Sequence, residues 1–410
     1  MAATRQAIMG QGLPPEAPWV VFEYPLFLVD SDLSPIREKF TEIVDALTKW
    51  RPGNTTTGVF NKAPVEVSGS NYEDAHAKAQ YIFLQKNWSD GLAIFPPTKN
   101  RVDWILAGTD HNRNETVGGG SGKVAPKQGI LTYEVLATCM AMAGGRPEYM
   151  PVAEAVCKTI IEKQNTLMTS SGGAYQGICV NGPIAKQIRL NSRFSLFGPN
   201  PNHPAGGAIG RCISLVLMNV GGHVAGQGTI AEYGEMRFTG LCFAENEGSL
   251  PKGWTTFAED QYQRERGTNS ATFFITFLGG LRPFVHRGSG DEPNFETEMQ
   301  ESFFRAANVM KSVWTYSPSP GSPGILFYNS MICGNMARIG WTKDKIRARL
   351  AELLFVTPEE IKDRTDIQRA AAAKVDMAKL PARIPLMTDP RNIHFVCAGG
   401  DHPSLAMWLA

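Results

Sequence analysis

The chain has 410 residues, of which 43% are hydrophobic and 19% are charged, which is enough apolar material for a substantial core. Its 40 Lys and Arg residues and 39 Asp and Glu residues leave a net charge of +1. No broad basic field therefore indicates binding to nucleic acid or to an anionic membrane surface.

The lack of targeting signals and the pattern of cysteines favour a cytoplasmic protein. We find no apolar run long enough for a transmembrane helix, and the N-terminus lacks the apolar segment of a signal peptide. The seven cysteines are odd in number and include no Cys-x-x-Cys pair, so we expect reduced, buried thiols.

Short apolar strands and helices alternate along the chain and predict an α/β protein, a multi-layer sheet with flanking helices. We place an N-terminal arm and a strand-helix segment in residues 1–68, which leaves open a smaller N-terminal α/β subdomain. Residues 69–410 form the predicted main region, with an internal boundary near 280–295 as an option. No internal repeat is visible in the sequence.

The predicted elements follow in chain order. Trp19 to Val29 is β-prone, and Ser34-Pro35 begins a helix that runs to Trp50. The later predicted helices are Tyr72–Lys86, a helix that ends at Leu106, Leu131–Ala143, Pro151–Lys163, Ile209–Val220, Thr297–Thr315, Met331–Ile339, Lys343–Leu354 and Pro358–Met377. The later predicted strands are Leu92–Phe95, Ile178–Val180, Leu241–Ala244, Ala271–Leu278, Gly324–Tyr328 and Asn392–Ala398.

Polar clusters follow two of these strands. Asn181-Gly182-Pro183 comes after Ile178–Val180, and Glu245-Asn246-Glu247 comes after Leu241–Ala244. Between them, Gly206-Gly207 begins an apolar helix. Ligands of α/β sheets bind beyond the carboxyl ends of strands and at helix N-termini. We therefore predict a binding site within the stretch from Tyr175 to Glu247.

Glu245 and Glu247 are the predicted catalytic carboxylates. If the strand continues through them, both side chains point to the same face. Two neighbouring carboxylates can divide acid and base roles, since repulsion raises one pKa. They can equally bind a divalent cation with His203 or His223. The alternative is a solvated strand end in a turn.

Further residues complete the predicted site. His203 lies in a proline-fixed loop and suits a general base at neutral pH, with a turn-capping role as the alternative. Arg211 can pair with a substrate carboxylate or phosphate, or form a structural salt bridge. The predicted substrate-binding residues are Asn181, Asn200, Gly206, Gly207, Arg211 and Asn246.

Common catalytic motifs are missing. Gly118 to Lys123 resembles a phosphate-binding loop, but Val117 and Val124 occupy positions that need glycine and Ser or Thr. No GxSxG, HExxH, GxGxxG or zinc-type Cys/His spacing occurs. We therefore expect no nucleotide cofactor, and a divalent metal stays open.

Several stretches resemble the larger domain of the bacterial UGSC-motif (seleno)protein family. They cover about Asn71 to Asn246 and, weakly, Ala398-Gly399-Gly400. The matching stretches are Trp88–Thr98, Ala141–Pro151, Val180–Ile184, Asn219–Gly222 and Phe243–Glu247. The chain has no Gly-Ser-Cys motif, so any thiol of that family would come from another chain. The resemblance implies an enzyme that acts on a small molecule.

Three hypotheses follow. The first is a small-molecule enzyme of the lyase, hydratase or hydrolase type that uses carboxylate and imidazole groups. The second is a redox or sulfur-handling subunit that works with a separate thiol protein and exposes Cys242, Cys333 or Cys397. The third is a non-catalytic ligand-binding protein. We expect a homo-oligomer, as for many enzymes of this size.

Overall fold

A computed structural model gives the fold of the chain. It describes residues 17–21, 33–51, 64–164, 174–198, 200–224, 229, 241–277, 281–286, 295–314, 324–361, 379–387, 389–402 and 404–409. Within these ranges, no helix has the length and apolar character needed to cross a bilayer.

Helices and strands alternate through most of these residues, which confirms the α/β fold class. The helices are α1 (Ser34–Glu38), α2 (Phe40–Thr48), α3 (Tyr72–Gln85), α4 (Lys99–Leu106), α5 (Tyr133–Met142), α6 (Met150–Lys163), α7 (Ile184–Gln187), α8 (Ala205–Asn219), α9 (Phe257–Tyr262), α10 (Phe295–Trp314), α11 (Ser330–Arg338), α12 (Lys343–Leu353) and α13 (Pro358–Ile361). The strands are β1 (Lys123–Val124), β2 (Gly129–Ile130), β3 (Ala174–Asn181), β4 (Leu241–Ala244), β5 (Ser270–Phe277), β6 (Leu281–Val285), β7 (Gly324–Tyr328), β8 (Phe355–Val356), β9 (Ile384–Pro385), β10 (Ile393–Cys397) and β11 (Leu405–Leu409).

Two mixed sheets carry the fold. The first has the order β4-β3-β5, with β4 parallel and β5 antiparallel to β3. The second has the order β10-β7-β11-β6, with β10 parallel to β7 and β11 antiparallel to β7. Each sheet thus contains a central strand with a parallel neighbour on one side and an antiparallel neighbour on the other. In both, a helix precedes the central strand, and two or more helices lie between it and its parallel neighbour.

Strand alternation sorts the side chains into a four-layer structure. Ile178, Val180 and Cys242 of the first sheet pack against α5, α6 and α8. The alternate residues, among them Phe243, pack against the second sheet. The far face of the second sheet, which includes Tyr328, packs against α10, α11 and α12. The layers are therefore helices, sheet, sheet and helices, and both sheets are covered on both faces.

Aromatic rings join the two sheets. The ring centroids of Phe243 and Phe327 lie 5.2 Å apart. Phe197 stands edge-on to both, at 5.5 Å from Phe243 and 5.2 Å from Phe327. Edge-to-face pairs of this kind add to the stabilisation from buried apolar area.

Most predicted elements are present, with shifted ends. The predicted helix to Trp50 is interrupted at Lys39, between α1 and α2. The strands β6 and β11 and the helix α9 were not predicted. Of the helix predicted from Pro358 to Met377, the described part ends at Ile361, and the rest lies outside the described residues. Of the β-prone segment, residues 19–21 form no strand, and the rest is likewise outside.

The strand predicted at Leu92–Phe95 is wrong. This segment pairs with no strand among the described residues, and a side chain bonds its backbone instead. The Gln80 amide donates to the Ile94 carbonyl at 2.7 Å and accepts from the Ile94 N–H at 3.0 Å.

Truncation of Phe243 should weaken the packing between the sheets. Phe243→Ala removes a fully buried ring and should lower the free energy of unfolding by about 3–5 kcal/mol, as for other buried phenylalanines. Phe304→Ala is the control, since Phe304 is 59% exposed. Urea unfolding of both variants measures the difference, and equal losses would contradict the assignment of Phe243 to the core.

Candidate functional site

Asn181 joins the two predicted carboxylates. Its Nδ2 donates to Glu245 Oε2 at 2.7 Å and to Glu247 Oε1 at 2.8 Å. The sheet explains the first contact, because Val180 pairs with Ala244 in the parallel register, so the strands end side by side. The structure therefore brings together three of the residues selected from the sequence.

Glu245 is a buried carboxylate that connects the two sheets. It is 4% exposed. Besides the Asn181 amide, Oε2 accepts from the N–H of Phe257 at the start of α9, at 2.6 Å. Oε1 accepts from the N–H of Cys397 at the end of β10, at 3.3 Å. One side chain of the first sheet thus holds α9 and the edge of the second sheet.

Opposing effects act on the pKa of Glu245. Burial raises the pKa of this carboxyl above its ordinary value of 4.5. The Lys343 ammonium and the N–H donors of Phe257, Asn181 and Cys397 counteract part of that rise. The net direction is upward, because the transfer of the charged form out of water dominates.

Glu247 also accepts from the Asn181 amide, but a continued strand, as predicted, is not what brings it there. The strand ends at Ala244, and Glu247 begins a 3-10 turn to Ser249, so strand alternation does not align the two side chains. The Gly182 N–H instead donates to Glu247 Oε1 at 2.7 Å. Glu247 is half-buried and is the more accessible of the two carboxylates.

Gly182 has a specific role in this contact. Its φ is +90°, and a Cβ would lie 2.5 Å from the Thr268 carbonyl oxygen. Both features require glycine, which allows the backbone N–H to face Glu247.

A second polar cluster follows the strands of the other sheet. Asp401 accepts from Ser330 and pairs with Arg193. Asn329 caps α11 by accepting from the Ile332 N–H at 3.0 Å, and its Nδ2 donates to the His402 carbonyl. The clusters are connected through residues 191–192, whose carbonyls accept from Ala244 and Gly399.

His203 and Asn200 lie in a turn of their own. The Nδ1 of His203 is 3.0 Å from the Arg189 carbonyl oxygen. Asn200 Oδ1 accepts from the Asn202 N–H at 3.0 Å. Among the described residues, none is hydrogen-bonded both to His203 and to Glu245 or Glu247. A catalytic role for His203 and a substrate-binding role for Asn200 stay predictions.

Arg211 forms the structural salt bridge that was the alternative reading of its sequence. Its Nε and Nη2 donate to the two carboxylate oxygens of Asp90, both at 2.8 Å, and Nη2 also donates to the Ala93 carbonyl at 3.0 Å. The pair is buried. The guanidinium therefore ties α8 to the segment before α4.

The helix start at Gly206-Gly207 packs closely on β4. A Cβ on Gly206 would lie 2.4 Å from the Cys242 carbonyl oxygen, whereas Gly207 has open space around it. Gly206 is thus needed for packing, and Gly207 is the one with room for a ligand. His223 was predicted, as an alternative to His203, to be a metal ligand. Its Nε2 lies at hydrogen-bond distance from the Ala125 carbonyl oxygen. Burial lowers the pKa of its imidazole to about 4.

The residues do not fit a divalent cation between the two glutamates. Among the described residues, no three His, Cys, Asp or Glu side chains are grouped as a metal site. The carboxylate oxygens of Glu245, and Oε1 of Glu247, already face N–H donors, and such donors repel a cation. The arrangement instead suits proton transfer.

Two buried cations near the site were not predicted. Lys343 and Arg347 of α12 are only 6% and 4% exposed. With Ile346 and Leu350 they form an i, i+3, i+4, i+7 set, which is the buried face of the helix. This spacing is the feature of the sequence from which the burial of Lys343 and Arg347 could have been predicted. Arg347 pairs with Asp260 of α9.

All seven cysteines are buried. Burial raises the pKa of the Cys139, Cys157, Cys179, Cys212 and Cys242 thiols. A hydrogen bond with Cys397 and burial raise the pKa of Cys333. The accessible thiol expected under the second hypothesis at Cys242, Cys333 or Cys397 is therefore not found.

Comparison with protein-family models, with curated proteins and with solved structures finds no match to the chain. The resemblance to the UGSC-motif family stays a prediction.

Thiol labelling should reflect the burial of the seven cysteines. A charged thiol reagent should label none of the seven cysteines in the native protein and all seven after unfolding in denaturant, because the reagent needs an accessible thiolate. Mass spectrometry counts the labels. Rapid native labelling of any one cysteine would contradict the burial of that residue.

The raised pKa of Glu245 predicts a pH dependence of stability. The folded state binds this proton more tightly than the unfolded chain, so the contribution of Glu245 is fully present below pH 4.5. It is lost as the pH rises through the raised pKa. In urea unfolding at several pH values, the wild type should lose stability relative to Glu245→Gln as the pH rises. A constant difference between the two proteins would contradict the raised pKa.

Proposed function

We propose that this chain is an enzyme that acts on a small organic molecule at the carboxyl ends of β3 and β4. The reaction class is elimination, hydration or hydrolysis, in which a proton is moved at carbon or oxygen. One observation carries the proposal. A single amide, that of Asn181, holds two carboxylates of unlike burial. A half-buried carboxylate that is fixed beside a buried one has a set direction and access to water, as proton transfer to or from a substrate requires.

Each residue has a distinct role in this proposal. Glu247 is the half-buried carboxylate and transfers the proton. Glu245 is a positioning residue, because its oxygens are taken up by Asn181 and by backbone N–H groups. Asn181 sets the direction of Glu247, and its own Oδ1 is buried without a hydrogen-bond partner among the described residues. That oxygen can accept a hydrogen bond from a substrate.

Glu247→Gln tests the role of the proton-transferring carboxylate. The substitution keeps the size of the side chain and removes its basicity, and should lower kcat by about 10²–10⁴-fold. Glu265→Gln is the matched control, since Glu265 is exposed and its side chain has no part in the site. Circular dichroism verifies that both variants fold.

The assay uses a library of small hydroxy acids, amides, lactones and unsaturated acids in isotopically labelled water. Mass spectrometry then reports the gain or loss of one water, or the exchange of hydrogen at carbon. A Glu247→Gln protein with full turnover would show that this carboxylate is not the proton-transferring group. Absence of any water- or proton-dependent change across the library would favour the ligand-binding hypothesis.

A further inference from the structure

A groove runs along the outer edge of β5. Among the described residues, β5 is the last strand of the first sheet and pairs only with β3. The groove has a volume of about 560 Å³, and residues 270–275 of this strand are part of its lining. Pockets that hold ligands typically have volumes of about 300–1,000 Å³. The space is therefore large enough to hold part of another molecule.

The residues that line the groove place it beside the strand. Successive side chains of a strand point to opposite faces of the sheet. Ala271, Phe273 and Ile275 pack on the side of the helices, whereas Phe274 packs on the side of the second sheet. All four line the groove, so the groove contacts both faces and follows the backbone between them. A strand edge of this kind presents a row of N–H and C=O groups to a further strand.

The strand β5 lacks the features that usually prevent the addition of another strand. Edge strands are commonly protected by charged residues, proline, bulges or short length. The outer strand β6 of the second sheet, for example, contains Arg282 and Pro283. In contrast, β5 has eight residues with neither charge nor proline, and its register with β3 is unbroken from Ser270 to Phe277. Its outer edge is therefore a regular template for one more strand.

Two cationic side chains line the same groove. Lys163 lies at the end of α6, and Arg264 follows α9. Both are exposed, and neither forms an ion pair within the described part of the chain. No Asp or Glu is among the lining residues, which also include the apolar side chains of Ile160 and Leu217. A molecule that fills the groove therefore gains from negative charge and from apolar groups.

We propose that this groove binds an extended acidic segment of a partner polypeptide, which joins the first sheet as a strand beside β5. Main-chain hydrogen bonds to the strand edge supply affinity, and side-chain contacts supply specificity, as in other cases of strand addition. Carboxylates of the partner pair with Lys163 and Arg264, and its apolar side chains cover Phe273 and Ile275.

A small anion fits the groove less well than a peptide. A fatty acid would satisfy the two cations and the apolar residues, but it has no N–H groups to pair with the carbonyls of a strand edge. None of Asn181, Glu245 and Glu247 lines the groove. Binding there is therefore measured without turnover, and it stands or fails independently of the proposed function.

Fluorescence anisotropy on the full-length protein tests strand addition with a fluorescein-labelled octapeptide of alternating glutamate and valine. This peptide should bind, and a peptide with lysine in place of glutamate should bind about tenfold more weakly or not at all, because it meets like charges. A third peptide carries a methyl group on every backbone nitrogen. It keeps the carboxylates and the valines but donates no main-chain hydrogen bond, so it should lose binding.

A double variant tests the two cations. Lys163→Ala with Arg264→Ala should weaken binding of the acidic peptide by about tenfold, and added salt should weaken binding to the wild type, because exposed charges are screened. Lys86→Ala with Lys252→Ala is the matched control, since it removes the same charge from two exposed residues that do not line the groove. Circular dichroism verifies that both double variants fold.

Several results would overturn the proposal. Equal binding of the acidic and the methylated peptides would show that no strand is added, and full binding to the folded Lys163→Ala, Arg264→Ala protein would show that the cations are not used. Absence of binding at millimolar peptide would also overturn it, and sedimentation of the wild type then decides what remains. A dimer would favour a second copy of the chain at the edge of β5, and a monomer would leave this edge without a docking role.

Discussion

The hydrogen bonds of one buried carboxylate connect the parts of this fold. Glu245 receives donors from the end of β3, the start of α9 and the end of β10. A carboxylate removed from water is tolerated only when donors replace the lost hydration. The three N–H groups and the Lys343 ammonium offset part of that loss here, and each comes from a different element. Loss of the carboxylate would leave these donors buried and unsatisfied.

The two sheets repeat one topology but use it differently. In the first, Val180 pairs with Ala244, and Asn181 and Glu245 follow. In the second, Tyr328 pairs with Cys397, so Asn329 and Ala398 hold the equivalent places. Asn329 uses its oxygen to cap α11 and its nitrogen to bond His402. Asn181 Oδ1 has no hydrogen-bond partner among the described residues. The asparagine amide is therefore fully used at the strand end of the second sheet and only partly used at that of the first.

Local patterns in the sequence predicted much of the fold and a part of the candidate site. Apolar runs predicted β3, β4, β7 and β10, and the helices predicted from Tyr72 and from Lys343 begin at those residues, after the caps Asn71 and Thr342. The strand β6 contains Pro283, which counts against a strand, and the structure places β6 at the edge of its sheet, where proline is tolerated.

Contacts between distant residues could not be predicted in the same way. Glu245 and Cys397 lie 152 positions apart, and no local period connects them. Lys343 and Arg347 stood on an otherwise apolar helix face, but a charged residue there has no recognisable purpose until Asp260 and Glu245 are located. The salt bridge of Arg211 likewise required the position of Asp90, 121 residues away. Long-range pairing of charges decides which polar residues are structural.

Burial changes sharply along the three residues that end the first sheet. Glu245 is enclosed between the sheets, and Glu247, two positions later, is half-buried because the chain has turned away from the strand. The same amide reaches both, so their separation is fixed while their exposure to water differs. A group shielded from water keeps its geometry, and a group at the boundary can exchange protons. The two glutamates thus differ in exposure because β4 ends at Ala244 and the chain then turns at Glu247.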